Sequence, residues 1–271
     1  MIVLKAPAKV NLTLKIIGKR ADGYHALESV FFKINDLCDE LTFVPAGNDY
    51  DTLLESNSTE ISYDDNIIIN AANELREFCG VSDGVRIILD KKIPIRAGLG
   101  GGSSDAASTL MGLNKLWNLN LNNDILMALG AKIGSDVSFF ICSENAAIVT
   151  GRGEYIEPFN VENPPNIVIE KRLEGLSTKL IYQELKAMHP DMPLVTDSKP
   201  EGFLSITLEM KQALIAGDHK RVGELLVNDL EAPAVTFLPQ IKEEKQALQL
   251  KYNACGTLMS GSGSAIFSIL G

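Results

Sequence analysis

Residues 98–107 read GLGGGSSDAA, four glycines and two serines set directly ahead of helix-forming sequence. Glycine loses more backbone freedom on ordering than any other residue, so such a run does not belong inside a helix or strand. It marks a connection. VRIILDKKIP at 85–94 has the pattern of a strand, and a helix is predicted from about Ser104 to Leu116. Two readings fit the residues. One is a tight strand-to-helix turn. The other is a cradle in which bare backbone approaches an anion at the positive end of a helix. Lys91, Lys92 and Arg96, just upstream, add positive charge in the second case.

Two familiar phosphate motifs do not account for the run. The P-loop needs Lys after its last glycine, and this chain has Ser103 there. Gly98, Gly100 and Ser103 nearly meet the dinucleotide pattern, but the next predicted element is a second helix at 121–134, capped by Asn122 or Asn123. The strand that should carry a ribose-binding acid is missing. Two more small-residue loops stand out, TLMSGSGSAIF at 257–267 and TGRGE at 150–154. Each reads equally as a turn or as a support for a bound anion.

Elsewhere the chain mixes strands and helices. Residues 1–17 alternate as one or two strands, and ESVFFKI (28–34) and DELTFVP (39–45) read as two more. Residues 46–62 are polar and turn-rich. A helix is predicted over 64–80, with Asp64 or Asp65 as its cap and Gly80 as its stop. SDVSFFIC and NAAIVTGRGE read as loop-plus-strand units. PFNVENPP breaks the pattern and divides the chain into 1–157 and 158–271. Beyond it come a strand (NIVIEKRL) and helices over STKLIYQELK, SITLEMKQALIAGD, HKRVGELLVNDL and LPQIKEEKQALQLKYN. A final strand–turn–strand follows. The mixture predicts a two-lobed α+β fold and not a doubly wound sheet.

The net charge of −10 argues against nucleic acid or an anionic membrane as a partner, since both need a basic face, and leaves room for a small anionic ligand held by a local positive field. No segment approaches the roughly 20 apolar residues of a membrane helix, and the N-terminus lacks the pattern of a secretion signal. A cytoplasmic protein is expected. Cys38, Cys79, Cys142 and Cys255 are far apart and are expected to be buried free thiols.

Three groups of polar residues are candidates for chemistry. KAPAKVNLTL places Lys5, Lys9 and Asn11 on a strand patterned for burial, and lysine is rarely fully buried unless paired. Asp136 directly precedes an apolar run, as a cap or turn residue or as a partly buried functional acid. In phosphoryl transfer such an acid accepts a hydroxyl proton, and a nearby lysine stabilises charge on the moving group. Tyr24 and His25 follow an Asp22-Gly23 turn signal, suited either to a packed hairpin or to stacking on a heteroaromatic ring.

Together these stretches resemble the GHMP kinases. IPIRAGLGGGSSDAA is similar to that superfamily's phosphate loop, and KAPAKVNL and SGSGSAIF to its other two motifs. PAKVNLTLKIIGKRADGYHALES, DDNIIINAA, GSDVSFFI and AAIVTGRGE narrow the likeness to the branch acting on a cytidine diphosphate-linked methylerythritol in the non-mevalonate route to isoprenoids. The resemblance implies phosphorylation of that compound's 2-hydroxyl by ATP. It implies an N-terminal lobe like ribosomal S5 domain 2 and a ferredoxin-like C-terminal lobe. It assigns Asp136 as base and Lys9 as its charged partner. Asn11, Tyr24, His25 and Tyr182 fall to the substrate, Asn66 to adenine, and Gly98, Gly100, Gly101, Gly102, Ser103 and Ser104 to the triphosphate. The chain has no evident acidic metal ligand, so Mg²⁺ is expected to arrive on ATP and water. A monomer or weak homodimer is expected. A mevalonate or homoserine kinase, or a non-catalytic nucleotide-binding protein on this fold, are the alternatives.

Overall fold

The computed structural model describes residues 1–47, 52–64, 66–170, 174–196 and 202–271. The chain opens with two long strands, β1 (Ile2–Arg20) and β2 (His25–Pro45), then β3 (Thr52–Ser56), helix α1 (Ile67–Cys79) and β4 (Val85–Asp90). Three helices follow, α2 (Gly101–Leu116), α3 (Asn123–Ile133) and α4 (Val137–Ile141), then β5 (Ala146–Gly151), β6 (Tyr155–Phe159) and β7 (Asn166–Glu170). The remainder is α5 (Thr178–Met188), β8 (Leu194–Val195), α6 (Ser205–Ala216), α7 (His219–Glu224), β9 (Val227–Asn228), α8 (Glu231–Phe237), α9 (Gln240–Tyr252), β10 (Gly256–Met259) and β11 (Ile266–Leu270). The expected α+β class holds.

Several local expectations need correction. ESVFFKI and DELTFVP are not separate strands. They are one 21-residue strand that passes through the exposed Asn35 and Asp36. The polar interval is where β2 changes partner, from β5 along Leu27–Phe32 to β4 along Glu40–Pro45. The turn-rich stretch after β2 contains β3, parallel to β4. Residues 137–141 are a helix and not a strand, because a short apolar run has no periodicity to distinguish the two. Ser138 there donates to the Met127 carbonyl of α3 at 2.8 Å. The predicted helix over HKRVGELLVNDL ends at Glu224, and Val227–Asn228 pair with β1 instead. No element is predicted over 231–237, yet α8 lies there, with Pro233 in its first turn where its missing N–H costs nothing. The α1 cap is Asn66, not Asp64, and Asp65 lies outside the described residues. Gly80 ends α1 in the left-handed conformation, as expected. Of the four free cysteines, Cys142 is buried and the other three are half-buried.

The chain forms two compact units, and β1 and β2 each give one part to either unit. The first comprises Met1–Ala8, Ile34–Ile95 and Gly100–Ser143. Its strands are β3, β4 and the C-terminal part of β2, and α1, α2, α3 and α4 pack on one another. Leu41, Phe43, Leu75, Ile87, Leu89, Leu110 and Leu113 form its buried interior. Gly112 lets α2 lie directly on the Phe43 ring, where a Cβ would overlap the ring edge.

The second unit comprises Lys9–Lys33, Arg96–Leu99 and Glu144–Gly271. β5 pairs with β2 and β6, and β10, β11 and β7 form a separate antiparallel sheet. Leu14, Ile181, Leu185, Leu230, Ala234, Ile241 and Met259 make one buried cluster, with Tyr182 packed at its edge. Among the described residues no helix is long and apolar enough to cross a membrane.

Replacing Gly112 with Ala forces a methyl group into the Phe43 ring. Urea unfolding of Gly112→Ala is expected to show a loss of about 1–3 kcal/mol, the usual cost of overpacking a core. An unchanged midpoint would contradict the close packing of α2 on β2.

Candidate active site

The glycine run straddles the two units. Leu99 closes a segment of the second, and Gly100 opens a segment of the first. In the first unit, α2 starts at Gly101 and not at Ser104, so two glycines and two serines make its first turn. Gly100 is the cap residue, in the left-handed conformation at φ 71°, and no side chain caps the helix. The first intrahelical bond is Ser104 N–H to the Gly100 carbonyl, 2.9 Å. The Gly102 α-carbon is exposed, whereas Ser104 is fully buried and its hydroxyl has no hydrogen-bond partner. A helix start with an uncapped first turn is suited to an anion.

Lys91 does not supply free charge to this turn, contrary to expectation. Its ammonium is buried between Asp39, at 2.5 Å, and Asp105, at 2.8 Å. Lys92 is exposed and pairs with Asp90 at 2.9 Å.

Two other predicted residues lie in the first unit. Asn66 caps α1, accepting from Ile68 N–H at 2.9 Å and donating to the Ser62 carbonyl at 2.7 Å. Asp136 occupies the cap position of α4 and is half-buried, but its carboxyl makes no capping bond. It lies in a turn, so of the local readings the turn residue is realised and the capping bond is not.

In the second unit, Lys9 and Asn11 come together. They point the same way from β1 because side chains alternate along a strand. The Lys9 ammonium donates to Asn11 Oδ1 at 2.6 Å and sits 4.6 Å from the centre of the Phe31 ring. Asn11 Nδ2 donates to Ser29 Oγ at 3.0 Å, and Ser29 donates to the Thr13 carbonyl. All four polar residues are buried, so the ammonium is held by a chain of oriented dipoles. Lys9 N–H also donates to the Leu99 carbonyl at 2.9 Å, tying β1 to the glycine run.

The TLMSGSGSAIF loop supports that run. Gly98 has φ 77°, and a Cβ there would overlap the Ser260 carbonyl. Ser260 Oγ donates to the Gly98 carbonyl at 2.9 Å, and Ala265 N–H to the Ala97 carbonyl at 3.1 Å. Asn228 Nδ2 donates to the carbonyls of Met259 and Gly261 at 2.9 and 2.8 Å. Asn228 and Ser29 were not predicted. They act on neighbours distant in sequence, and nothing around them signals that use.

The aromatic residues of the DGYH turn also lie in this unit. Asp22 accepts from Tyr24 N–H at 3.0 Å, and the Tyr24 ring is exposed with the Arg152 guanidinium 5.2 Å from its centre. Arg20 pairs with Asp22 and Glu154, linking the turn to TGRGE. His25 stacks on Tyr182 with centroids 5.2 Å apart and planes at 29°. Its Nε2 is buried and has no hydrogen-bond partner. Burial lowers the His25 pKa, and the charges of Lys19 and Lys186 lower it further, so the ring is neutral near pH 7. Such a ring offers a donor and an acceptor to a base edge. A depressed histidine pKa means that the folded state loses this contribution as pH falls below the ordinary histidine range. An NMR titration is expected to show His25 charging below 6.5, and Lys19→Gln to move the titration upward. Titration at or above the ordinary value would contradict the neutral ring.

Comparison with known proteins agrees with this geometry. The family model for the GHMP kinases N terminal domain matches residues 66–144, and that for the GHMP kinases C terminal matches residues 210–270. A 4-diphosphocytidyl-2-C-methyl-D-erythritol kinase of Bacillus cereus (strain AH187) is 39% identical over 99% of this chain and 88% of its own length. A solved 4-(cytidine 5'-diphospho)-2C-methyl-D-erythritol kinase has a TM-score of 0.77 at 33% identity, covering 99% of this chain and 90% of its own. A homoserine kinase from Cytophaga hutchinsonii shares the fold, with a TM-score of 0.68 at 17% identity over 98% of this chain and 84% of its own. The chain therefore belongs to the GHMP kinases, within the 4-diphosphocytidyl-2-C-methyl-D-erythritol kinase family.

Proposed function

We propose that this chain phosphorylates the 2-hydroxyl of 4-diphosphocytidyl-2-C-methyl-D-erythritol at the expense of ATP, a step of isoprenoid biosynthesis. The observation that carries the substrate is the aromatic group of the DGYH turn and α5. Mevalonate and homoserine have no ring for an exposed Tyr24 and a neutral His25 stacked on Tyr182 to recognise. Family membership supports the same reading, since the curated relatives and the solved relative at 33% identity carry that name.

The residues present fit a triphosphate. The first turn of α2 has no side-chain cap, and the Ser104 hydroxyl lacks a partner. In this reading the backbone from Gly98 through Ser104 holds the phosphates and Asn66 lies toward adenine. ATP, when bound, supplies the phosphoryl group and brings Mg²⁺ on its phosphates. Among the described residues no group of three His, Cys, Asp or Glu side chains is disposed to hold a metal ion.

The chain's own residues then position and polarise the substrate. Tyr24, His25 and Tyr182 hold the cytosine. Asp136 accepts the proton of the 2-hydroxyl as the oxygen attacks. Lys9, oriented by Asn11, stabilises the negative charge that develops. Positioning and charge stabilisation are most of what phosphoryl transfer requires of a protein. The functional division falls between a nucleotide-binding part, 1–157, and a second part, 158–271. With a net charge of −10 the chain has no general attraction for nucleic acid or anionic membranes. It acts in the cytoplasm as a monomer or weak homodimer.

The test is ADP release by the purified protein with ATP and Mg²⁺, offered the cytidine compound, mevalonate and homoserine separately. Turnover is expected with the cytidine compound alone. Asp136→Asn is expected to lower kcat by about 10²–10⁴-fold. Tyr24→Ala is expected to raise KM by about tenfold with kcat nearly unchanged, as for loss of uniform binding. Turnover with mevalonate or homoserine instead would discard the substrate assignment. An active Asp136→Asn would discard the base.

A further inference from the structure

Directly under the first turn of α2 lies a buried charge cluster that the proposed chemistry does not use. Lys91, at the end of β4, places its ammonium between Asp39 of β2 and Asp105 of α2, and the three side chains are 0–6% exposed. The ammonium lies 2.9 Å from where a Cβ on Gly101 would sit, so the cluster meets the first helical residue itself. An ammonium at that end of a helix opposes the helix dipole and is tolerable only if matched by negative charge. Two carboxyl groups are present, one more than the match requires.

Their hydrogen bonds distinguish them. Asp39 accepts from the Lys91 ammonium and from the N–H groups of Lys92 and Ile93, at 2.6 and 2.7 Å, the pattern of a carboxylate. Asp105 accepts from Lys91 through Oδ2. Its Oδ1 is buried and no donor faces it. One oxygen of Asp39 and one of Asp105 lie on the same Lys91 ammonium, at 2.5 and 2.8 Å, so the two carboxyl groups are neighbours. A buried carboxyl oxygen that meets no donor, in a group set beside a second carboxyl, is best satisfied by carrying a proton.

We propose that Asp105 is a positioning residue for the phosphate-binding turn, held as a neutral carboxylic acid that donates to Asp39 and accepts from Lys91, so that the cluster beneath the turn carries no net negative charge. This rests on reading the turn as a triphosphate site. The electrostatics agree with the geometry. Burial pushes the Asp105 carboxyl up to about 8, against the pull of Lys91 and with the help of Asp39. Some of the other charged side chains on the helices packed against α2 have partners of their own. Glu74 pairs with Lys132, and Arg76 bonds Asn73 and Thr52. Glu77, Asp124, Lys115 and Asp136 are the remaining charged groups on these helices and their caps, and the largest charge influences on Asp105 come from Lys91 and Asp39. Below about 8 the cluster is neutral. As pH rises through that value it gains a negative charge, which opposes an anion at the turn and loosens the first turn of α2.

The test combines ¹³C NMR of aspartate carboxyl groups with ATP binding by calorimetry, on wild type, Asp105→Asn and Asp105→Ala. A carboxyl resonance titrating near 8, absent from Asp105→Asn, is expected. Wild-type affinity for ATP is expected to weaken by about fivefold between about pH 6.5 and about pH 9, as one negative charge appears beneath the turn. Asp105→Asn keeps both hydrogen-bonding roles without the charge. It is expected to bind within about twofold of wild type at the lower pH and to lose the pH dependence, whereas Asp105→Ala binds more weakly at both. Titration in the ordinary carboxylate range, or the same pH dependence in wild type and Asp105→Asn, would overturn the proposal. So would Asp105→Ala binding as tightly as Asp105→Asn. If the carboxyl titrates near 8 but wild type binds no ATP at any pH, the triphosphate reading of the turn has failed, and the positioning role with it.

Discussion

The contact on which the proposed chemistry depends is between two glycine-bearing loops far apart in sequence. Gly98 brings its bare α-carbon against the Ser260 carbonyl, and Ser260 returns a hydrogen bond to the Gly98 carbonyl. A side chain at Gly98 would meet backbone, which cannot swing aside, and the φ of 77° is one that L side chains rarely adopt. The adjoining residues repeat the pattern. Ala97 accepts from Ala265, Leu99 accepts from Lys9, and Asn228 holds the carbonyls on either side of Ser260. The glycine run is thus fixed at its entrance by backbone hydrogen bonds, which leaves its continuation into α2 free of any capping side chain.

Two buried lysines show how the fold handles charge near that run. Lys9 lies on β1, where its ammonium donates to an amide oxygen and lies against an aromatic face. Lys91 lies at the end of β4 and is enclosed by two carboxyl groups. Asp39 beside Lys91 also holds the backbone N–H groups of Lys92 and Ile93, which sets that lysine's surroundings apart. The distinction depends on partners drawn from distant strands, and spacing along the chain carries no trace of it.

That is also why the sequence is only partly legible. The glycine run, the Gly80 stop, the strand–turn–strand at the C-terminus and the pairing of Lys9 with Asn11 on one strand face follow from local rules of conformation and alternation. The start of α2 does not. Glycines in a first helical turn go against propensity, and the close approach of Lys91 and Ile93 to Gly101, which leaves little room for a Cβ, comes from a distant part of the chain. The single strand β2 was hidden by Asn35 and Asp36, which mark a change of pairing partner and not a turn. VSFFI was misread because five buried apolar residues suit a strand as well as a helix. The stacking of His25 on Tyr182 joins residues of β2 and α5, and it was reachable only through likeness to a family.

The most direct measurement is a crystal structure of the protein with a non-hydrolysable ATP analogue. The account predicts phosphate oxygens on the N–H groups of Gly101, Gly102 and Ser103 at the start of α2. A bound analogue whose phosphates lie elsewhere, with that turn bare, would contradict it.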